Sequence, residues 1–266
     1  MTRSPLALVG HQFRFDLRAF RRNRQASLST VALPVLLLVI LVSANSGETA
    51  TYHGRSVSLA QYLTPGLAAF GIISAAFLSL VVDAVGQRES GVLKRRRATP
   101  VPAWVLLAGR TLTAAAASLA VTFVLLAIAG NHYDVKIPSA GLPALALTVV
   151  LGALTFAAIG YALSTMIRST AAAQPVASLV LLPLLLISSV LVPGGKLPHT
   201  LGTAAAIFPL EHLGNALRHS IDPAATGSHL ASGDLLVILA WGLGAALVAY
   251  RRFTWLPATA TPTRAR

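Results

Sequence analysis

Long apolar runs alternate with short polar stretches along the whole chain. A helix needs about 20 predominantly apolar residues to cross the hydrocarbon core of a bilayer, and the runs approach or exceed this length. The pattern therefore predicts an all-α integral membrane protein with one transmembrane domain, residues 1–256, and a disordered tail at 257–266. The six predicted transmembrane helices cover about 26–44, 59–82, 103–129, 142–167, 171–192 and 235–250.

Residues 5–24 show a different pattern, with apolar residues such as Phe13 and Phe20 on one helical face and arginines such as Arg14 largely on the other. A basic amphipathic helix of this kind lies in the membrane interface, with its arginines near anionic head groups. The alternative is the charged leader of a signal sequence, with a small-residue cleavage site near 42–44. The length and patterning of 5–24 favour a retained N-terminal interfacial helix.

Two further stretches depart from a plain series of spans. The second span opens with Pro65 and Gly66, which are expected to bend or unwind the helix near one membrane face. Residues 193–234 form the longest inter-span segment, and its apolar part, 197–210, is too short to cross a bilayer. A re-entrant or extracellular helix is therefore predicted between spans five and six.

Composition supports a membrane protein. Only 11% of the residues are charged and 55% are hydrophobic, whereas soluble domains carry about 25% charged residues. This balance excludes a soluble globular domain and a disordered chain. The net charge of +13 is clustered between apolar runs, and no basic stretch is interleaved with aromatics as nucleic-acid binding would require.

The distribution of basic residues predicts the orientation of the chain. With six spans, 17 of the 21 Lys and Arg side chains fall on one side of the membrane. The positive-inside rule then predicts that both termini and the loop 83–102 are cytoplasmic. The chain is also rich in arginine and alanine, which favours a bacterial source and hence the bacterial plasma membrane.

Sequence signals for chemistry are missing. The chain has no cysteine, so thiolate chemistry and cysteine metal sites are excluded. Gly195 and Lys196 lack the spacing of a phosphate-binding loop, and Glu211-His212 lacks the second histidine of a zinc site. We therefore predict no catalytic residue, no cofactor and no metal bound by this chain.

Ionisable residues are expected only at the ends of the spans. Asp83 lies at the cytoplasmic end of span two, and Arg110 is expected to extend from span three back to the surface. Ion-coupled carriers usually place ionisable groups at mid-membrane. The energy for any uphill transport is therefore expected to come from a soluble partner that docks on the cytoplasmic side.

Several motifs together resemble one family. The loop contains RESGVLKR at 88–95 followed by ATP at 98–100, and span two opens with YLTPG at 62–66. FPLEH at 208–212 and RRF at 251–253 follow in the order expected for the same family. In these motifs the chain resembles ABC exporter permeases of the type-2 group, which includes drug-resistance, nodulation-factor and polysaccharide export subunits.

The resemblance implies partners as well as a fold. The permease would pair with a second permease copy, identical or different, and with two separate ATPase subunits that bind ATP and Mg²⁺. The loop 83–102 would be the cytoplasmic coupling element that docks on the ATPase. Its expected contact residues are Arg88, Glu89, Gly91 and Lys94.

The remaining site residues are expected at the membrane surfaces. Arg95, Arg96 and Arg97 would hold the loop at the lipid head groups, as Arg14, Phe13 and Phe20 would hold the interfacial helix. Pro65, Gly66 and Glu211 would belong to a gate or to the outer segment, since they lie in the family's outer motifs.

The function implied is export of an amphiphilic molecule, such as a drug, a lipid or a lipid-linked compound, energised by the partner ATPase. The chain itself would not be an enzyme. Three alternatives remain open at this point: a polysaccharide or glycolipid export permease, a membrane scaffold without a transport role, and an intramembrane enzyme.

Overall fold

The computed structural model describes residues 5–22, 24–92, 103–191, 199–225 and 227–252, and most of them are helical. The helices are α1 (Pro5–Arg22), α2 (Arg24–Ala44), α3 (Leu59–Ile73), α4 (Ser79–Glu89), α5 (Ala103–His132), α6 (Leu142–Ser164), α7 (Thr170–Ile187), α8 (His199–Ala205), α9 (Pro209–Ser220) and α10 (Ser232–Arg252). The other described elements are β1 (Thr49–Tyr52), β2 (Arg55–Ser58), a π-helical segment (Ser74–Leu78) and a 3-10 turn (Ser139–Gly141).

Among the described residues, five helical segments are long and apolar enough to cross a membrane. They are Leu59–Glu89, Trp104–His132, Ser139–Ser164, Thr170–Ile187 and Ser232–Arg252. Helix α2 contributes a shorter apolar stretch, Thr30–Ala44. The chain is thus a mostly helical, multi-pass membrane protein, and the sixth span and the re-entrant helix stay predictions.

The segment Leu59–Glu89 is one continuous helical rod built from α3, the π-helical segment and α4. The expected unwinding at Pro65 and Gly66 is wrong, because α3 continues through both residues. The departure from α-geometry comes later, at Ser74–Leu78. Neighbouring helices hold a membrane helix together around a proline by packing against it, and both residues are buried here.

The cytoplasmic loop predicted at 83–102 begins too early. Residues Asp83 to Glu89 continue α4 as helix, and residues 93–102 lie outside the described part of the chain, as does the tail predicted at 257–266. The added turns are polar, so the hydropathy pattern ends the span before the helix ends. Side-chain bonds from Arg88 and Glu89 to other elements stabilise these turns.

The polar connection after α2 contains a β-hairpin that the sequence analysis did not predict. Strands β1 and β2 pair antiparallel, with Thr49 opposite Ser58 and Tyr52 opposite Arg55. The two turn residues, His53 and Gly54, both have positive φ values of 48° and 73°. Positive φ at both turn positions matches the right-handed twist of a two-residue hairpin.

Small residues allow the helices to approach closely. A Cβ on Gly152 of α6 would lie 2.6 Å from the Leu213 side chain of α9, and one on Gly109 of α5 would lie 2.6 Å from Gln12 of α1. Close packing through small residues is the usual way for membrane helices to associate. In contrast, only 22% of the span in α7 and 6% of that in α10 is buried, so these two helices present apolar faces to lipid or to another chain.

Candidate functional site

Arg88 lies buried at the end of α4, with 7% of its surface exposed. One guanidinium nitrogen donates to the Ser164 carbonyl oxygen at 3.1 Å, and another donates to the Ile167 carbonyl oxygen. Ser164 is the last residue of α6 and Ile167 lies in the turn after it, where backbone carbonyls lack helical partners and a positive charge is favourable. Arg88 therefore joins α4 to the α6–α7 turn, and its guanidinium faces the bundle and not the solvent.

Glu89 lies beside Arg88 but is exposed. Its carboxylate accepts hydrogen bonds from the Thr170 amide at 2.5 Å and from the Thr170 hydroxyl. Ser169 caps the same helix end by accepting from the Ala172 amide at 3.3 Å. A carboxylate at a helix N-terminus satisfies free N–H groups and is favoured by the helix dipole. We call Arg88, Glu89 and their partners in the α6–α7 turn the α4 clamp.

Gly91 ends the helical rod. The amide of Ser90 donates to Gly86 and that of Gly91 to Arg88, at 2.9 and 3.2 Å. Gly91 has a φ of +69°, yet no atom lies within 4 Å of where a Cβ would stand. Glycine is needed here for the left-handed backbone and not for space. The predicted contact residues Lys94, Arg95, Arg96 and Arg97 lie outside the described residues.

The interfacial residues predicted in α1 divide between solvent and protein. Arg14 is exposed, while Phe13 and Phe20 are half-buried. Val9 on the same helix is buried, and Gln12 lies against Gly109 of α5. Part of the apolar face of α1 thus packs on the bundle and is not free to enter lipid.

A second polar cluster forms at the opposite end of the rod. Arg218 of α9 is buried and lies 4.3 Å from the ring centroid of Tyr62, the usual geometry of a cation–π contact. Its guanidinium donates to the Ser189 hydroxyl at 3.2 Å, to the Ser189 carbonyl, and to the Asn215 side chain at 3.1 Å. The Tyr62 hydroxyl also donates to the Ser189 carbonyl, at 3.2 Å.

Glu211 completes this cluster by accepting hydrogen bonds from the Ser189 amide at 2.7 Å and hydroxyl at 2.5 Å. Burial lowers the pKa of the Arg218 guanidinium, and electrostatic interactions with Tyr62 and Glu211 oppose that shift. We call Tyr62, Ser189, Glu211, Asn215 and Arg218 the outer network. It gathers residues from the start of α3, the end of α7 and α9.

Gly66 fixes the distance between α3 and the chain after α7. A Cβ on Gly66 would lie 1.8 Å from the Val190 carbonyl oxygen. Pro65 is buried beside it. The structure therefore brings the predicted residues Gly66 and Glu211 to one region, through Ser189 and Val190, and shows that Gly66 is needed for close backbone packing.

The hairpin is attached to the outer network. Arg55 forms a 2.7 Å ion pair with the largely buried Asp222, just after α9. Tyr52 lies with its ring centroid 6.5 Å from that of Tyr62, and burial raises the pKa of the Tyr52 hydroxyl to about 12, with Arg218 opposing the shift. The hairpin thus covers one side of the Tyr62–Arg218 contact.

Sequence reasoning also missed a charged cavity of about 290 Å³ between α1, α2, α4 and α5. Asp16, Asp83 and Arg110 line it together. Asp83 and Arg110 were expected to act separately at the ends of two spans, but the fold brings them to one cavity. The sequence does show one charged residue in each of two apolar helices, Asp83 and Arg110. Asp16 joins them only because α1 packs on α5 in the fold.

The described residues of these clusters do not form a metal site. In residues 5–22, 24–92, 103–191, 199–225 and 227–252, no three His, Asp or Glu side chains are placed to hold a metal ion. His212 instead pairs with Asp234, with 2.6 Å between ring nitrogen and carboxylate. The His212 and His219 rings therefore serve local hydrogen bonding.

The apolar spans, the rod with a polar cluster at each end and the weakly buried α7 and α10 define a multi-pass helical membrane protein. The family comparison identifies which kind: residues 22–251 match the model of the ABC-2 family transporter proteins. The chain belongs to this family and is a membrane permease component of an ABC transporter. No curated protein matches it as a relative.

Membership decides between several of the functions left open. The chain is the transport component and not itself an enzyme, and permeases of this family typically work with an ATPase subunit. The suspected resemblance to ABC permeases is confirmed.

Proposed function

We propose that the chain is the permease half of an ATP-driven exporter of amphiphilic molecules, in which the helical rod Leu59–Glu89 transmits movement between the two membrane faces. The observation that carries this proposal is that one rod of 31 residues ends in the α4 clamp and begins at the outer network. At 1.5 Å per residue the rod is about 46 Å long, enough to cross a membrane.

Coupling would occur at the exposed end of the α4 clamp. Glu89, Gly91 and Lys94 are the proposed contacts with the ATPase. Arg88 would not contact the ATPase but would hold the rod end in place, because its guanidinium is bound to the α6–α7 turn. A push on the rod end is then shared with α6 and α7, since Arg88 and Glu89 bond to the two ends of that turn.

At the far end, the same push would move Tyr62 and Gly66 against Ser189 and Val190. Arg218 and Glu211 hold Ser189 by several hydrogen bonds, so these contacts must shift together or not at all. Such packed interfaces have discrete arrangements and are not continuously deformable. The outer network is therefore the proposed outer gate.

The complex proposed has two permease copies, identical or different, and two ATPase subunits, in the bacterial plasma membrane with both termini cytoplasmic. Six spans, with α2 as the first, keep the basic residues on one side. The exposed apolar faces of α7 and α10 support contact with a second copy or with lipid. An amphiphilic cargo fits a path lined mainly by apolar helices.

Two variants test the coupling role of Glu89 separately from its role as a helix cap. Glu89→Gln removes the charge and keeps an oxygen that can accept from Thr170. Thr170→Val keeps the charge of Glu89 and removes the hydroxyl donor. The assay is co-purification of the ATPase with the tagged chain in mild detergent, followed by ATP hydrolysis in nanodiscs.

We expect Glu89→Gln to weaken ATPase binding by about tenfold, as for removal of one partner of a charge pair at an interface, and Thr170→Val to leave it unchanged. Equal binding by wild type and Glu89→Gln would remove Glu89 from the docking contact. A chain that brings down no ATPase in any form would overturn the exporter proposal as a whole.

A further inference from the structure

The cavity lined by Asp16, Asp83 and Arg110 is built from four elements. Asp16 comes from α1, Thr30 from α2, Ser79 and Asp83 from the π–α4 region and Arg110 from α5. Its volume of about 290 Å³ lies near the lower limit of small-molecule sites, about 300 Å³. The space suits the head group of an amphiphile, and an apolar tail would extend beyond it.

The charges in the cavity do not neutralise one another by direct pairing. The ion pairs found among the described residues are Arg55–Asp222 and His212–Asp234. Asp16 and Asp83 therefore have no carboxylate oxygen within 4.0 Å of the Arg110 guanidinium. Among the described residues, the Asp16 carboxylate accepts only from the Gln12 side-chain amide, at 2.9 Å. The buried Nε of Arg110 has no hydrogen-bond partner in the described part of the chain.

The cavity also adjoins an irregular part of the rod. The π-helical segment Ser74–Leu78 precedes Ser79, and the Ser79 hydroxyl donates to the Ala75 carbonyl. Both Ala75 and Ser79 line the cavity. Single π-helical turns are frequent at functional sites, and Asp83 lies in the helix that follows this one.

We propose that this acidic cavity binds the ammonium group of an amphiphile, with Asp16 and Asp83 as the anionic partners. Two carboxylates face one guanidinium, so a cation gains more than an anion from the site. Arg110 lies where it can hold an anionic group next to the ammonium, as in a zwitterionic phosphoethanolamine head. Two sources share this chemistry: a membrane lipid with an ethanolamine head and an exported cationic compound.

The role of this site in export rests on the proposed function, but binding does not. If the chain is an exporter, the cavity lies at the cytoplasmic side, next to the coupling end of the rod. A bound ammonium amphiphile would then contact α4 directly. It would be placed to bias the same rod that the ATPase is proposed to move.

The test measures binding of tritiated dodecylammonium and tritiated dodecyl sulfate to the full chain in nanodiscs, without any ATPase. Nanodiscs without protein give the background. The double variant Asp16→Asn with Asp83→Asn removes both negative charges. Arg14→Gln is the matched control, because Arg14 lies on the same helix as Asp16, is exposed and does not line the cavity.

We expect saturable dodecylammonium binding that the double variant weakens by about tenfold or more and that Arg14→Gln leaves unchanged. Arg110→Gln should strengthen it, since the competing positive charge is gone. Preference for dodecyl sulfate, or undiminished dodecylammonium binding by the double variant, overturns the proposal.

A second variant keeps the proposal testable if the double variant does not insert into the membrane. Ala19 is exposed and lines the cavity, so Ala19→Leu reduces its volume without changing any charge or crowding the core. It should also weaken dodecylammonium binding, and unchanged binding would count against the site.

Lipid composition distinguishes the two sources. Nanodiscs rich in phosphatidylethanolamine should lower the apparent affinity if the lipid head occupies the site, whereas equal affinity in phosphatidylglycerol identifies an exported compound as the ligand. Because no ATPase is present, loss of binding and loss of ATPase coupling in the Glu89 variants are separate outcomes.

Discussion

Replacing Gly66 by alanine is expected to separate α3 from the chain that follows α7. The new Cβ would lie 1.8 Å from the Val190 carbonyl oxygen and 2.9 Å from its carbonyl carbon. Real Cβ atoms do not approach closer than about 3.0 Å, so the two segments must move apart by about 1.2 Å. The obstacle is backbone, and no side-chain rearrangement can relieve it.

The cost follows from what that movement breaks. Overpacking in a filled core costs about 1–3 kcal/mol. The Ser189 carbonyl would also move away from Tyr62 and Arg218, which adds about 1 kcal/mol for a neutral hydrogen bond and more for the charged one. Better helix propensity of alanine returns at most about 1 kcal/mol. We expect a net loss of roughly 3 kcal/mol.

The measurement is thermal unfolding of the purified chain in detergent, where this loss should lower the midpoint by roughly 6–12 °C. Gly244→Ala is the matched control, because Gly244 lies in the membrane helix α10 and no atom lies within 4 Å of its virtual Cβ. It should lose no stability, and the better helix propensity of alanine should add at most about 1 kcal/mol. Equal midpoints for the two variants would refute the close approach at Gly66.

Two other predictions concern the rod ends. Arg88→Lys should lower the free energy of unfolding by about 1.5–3 kcal/mol, because an ammonium cannot make both hydrogen bonds to Ser164 and Ile167. Arg14→Lys, at an exposed position, should leave the unfolding midpoint unchanged. A similar midpoint for both variants would mean that these contacts do not hold Arg88. Tyr52 has a pKa raised from 10.0 to about 12, so its neutral form stabilises the fold fully below pH 10, and this contribution is lost as the pH rises through about 12. Tyr52→Phe should flatten the fall in stability over that range, and an unchanged pH profile would argue against a buried hydroxyl.

The α4 clamp changes how the predicted coupling loop is understood. The motif RESGVLKR suggested neighbouring Arg88 and Glu89 as equivalent contacts for an ATPase. In the fold they differ: Arg88 is 7% exposed and faces the α6–α7 turn, while Glu89 remains at the surface. A variant of Arg88 should therefore act through stability, and one of Glu89 through binding.

The sequence by itself determined the elements that local patterns encode. Apolar length specified the five helices that are long enough to cross a membrane, amphipathic spacing specified α1, and motif order specified the ABC-2 family. These properties depend on neighbouring residues, so they can be read along the chain. The hairpin was missed because its strands are short and its alternation is only partly apolar.

Only the tertiary structure decided which distant residues meet. Tyr62 bonds to a residue 127 positions away and Arg88 to one 76 positions away, and no local pattern encodes such pairs. The same holds for Asp83 and Arg110, whose shared cavity depends on α1 packing across Gly109. Burial and pairing of charges depend on how the helices pack, so only the tertiary structure specifies them.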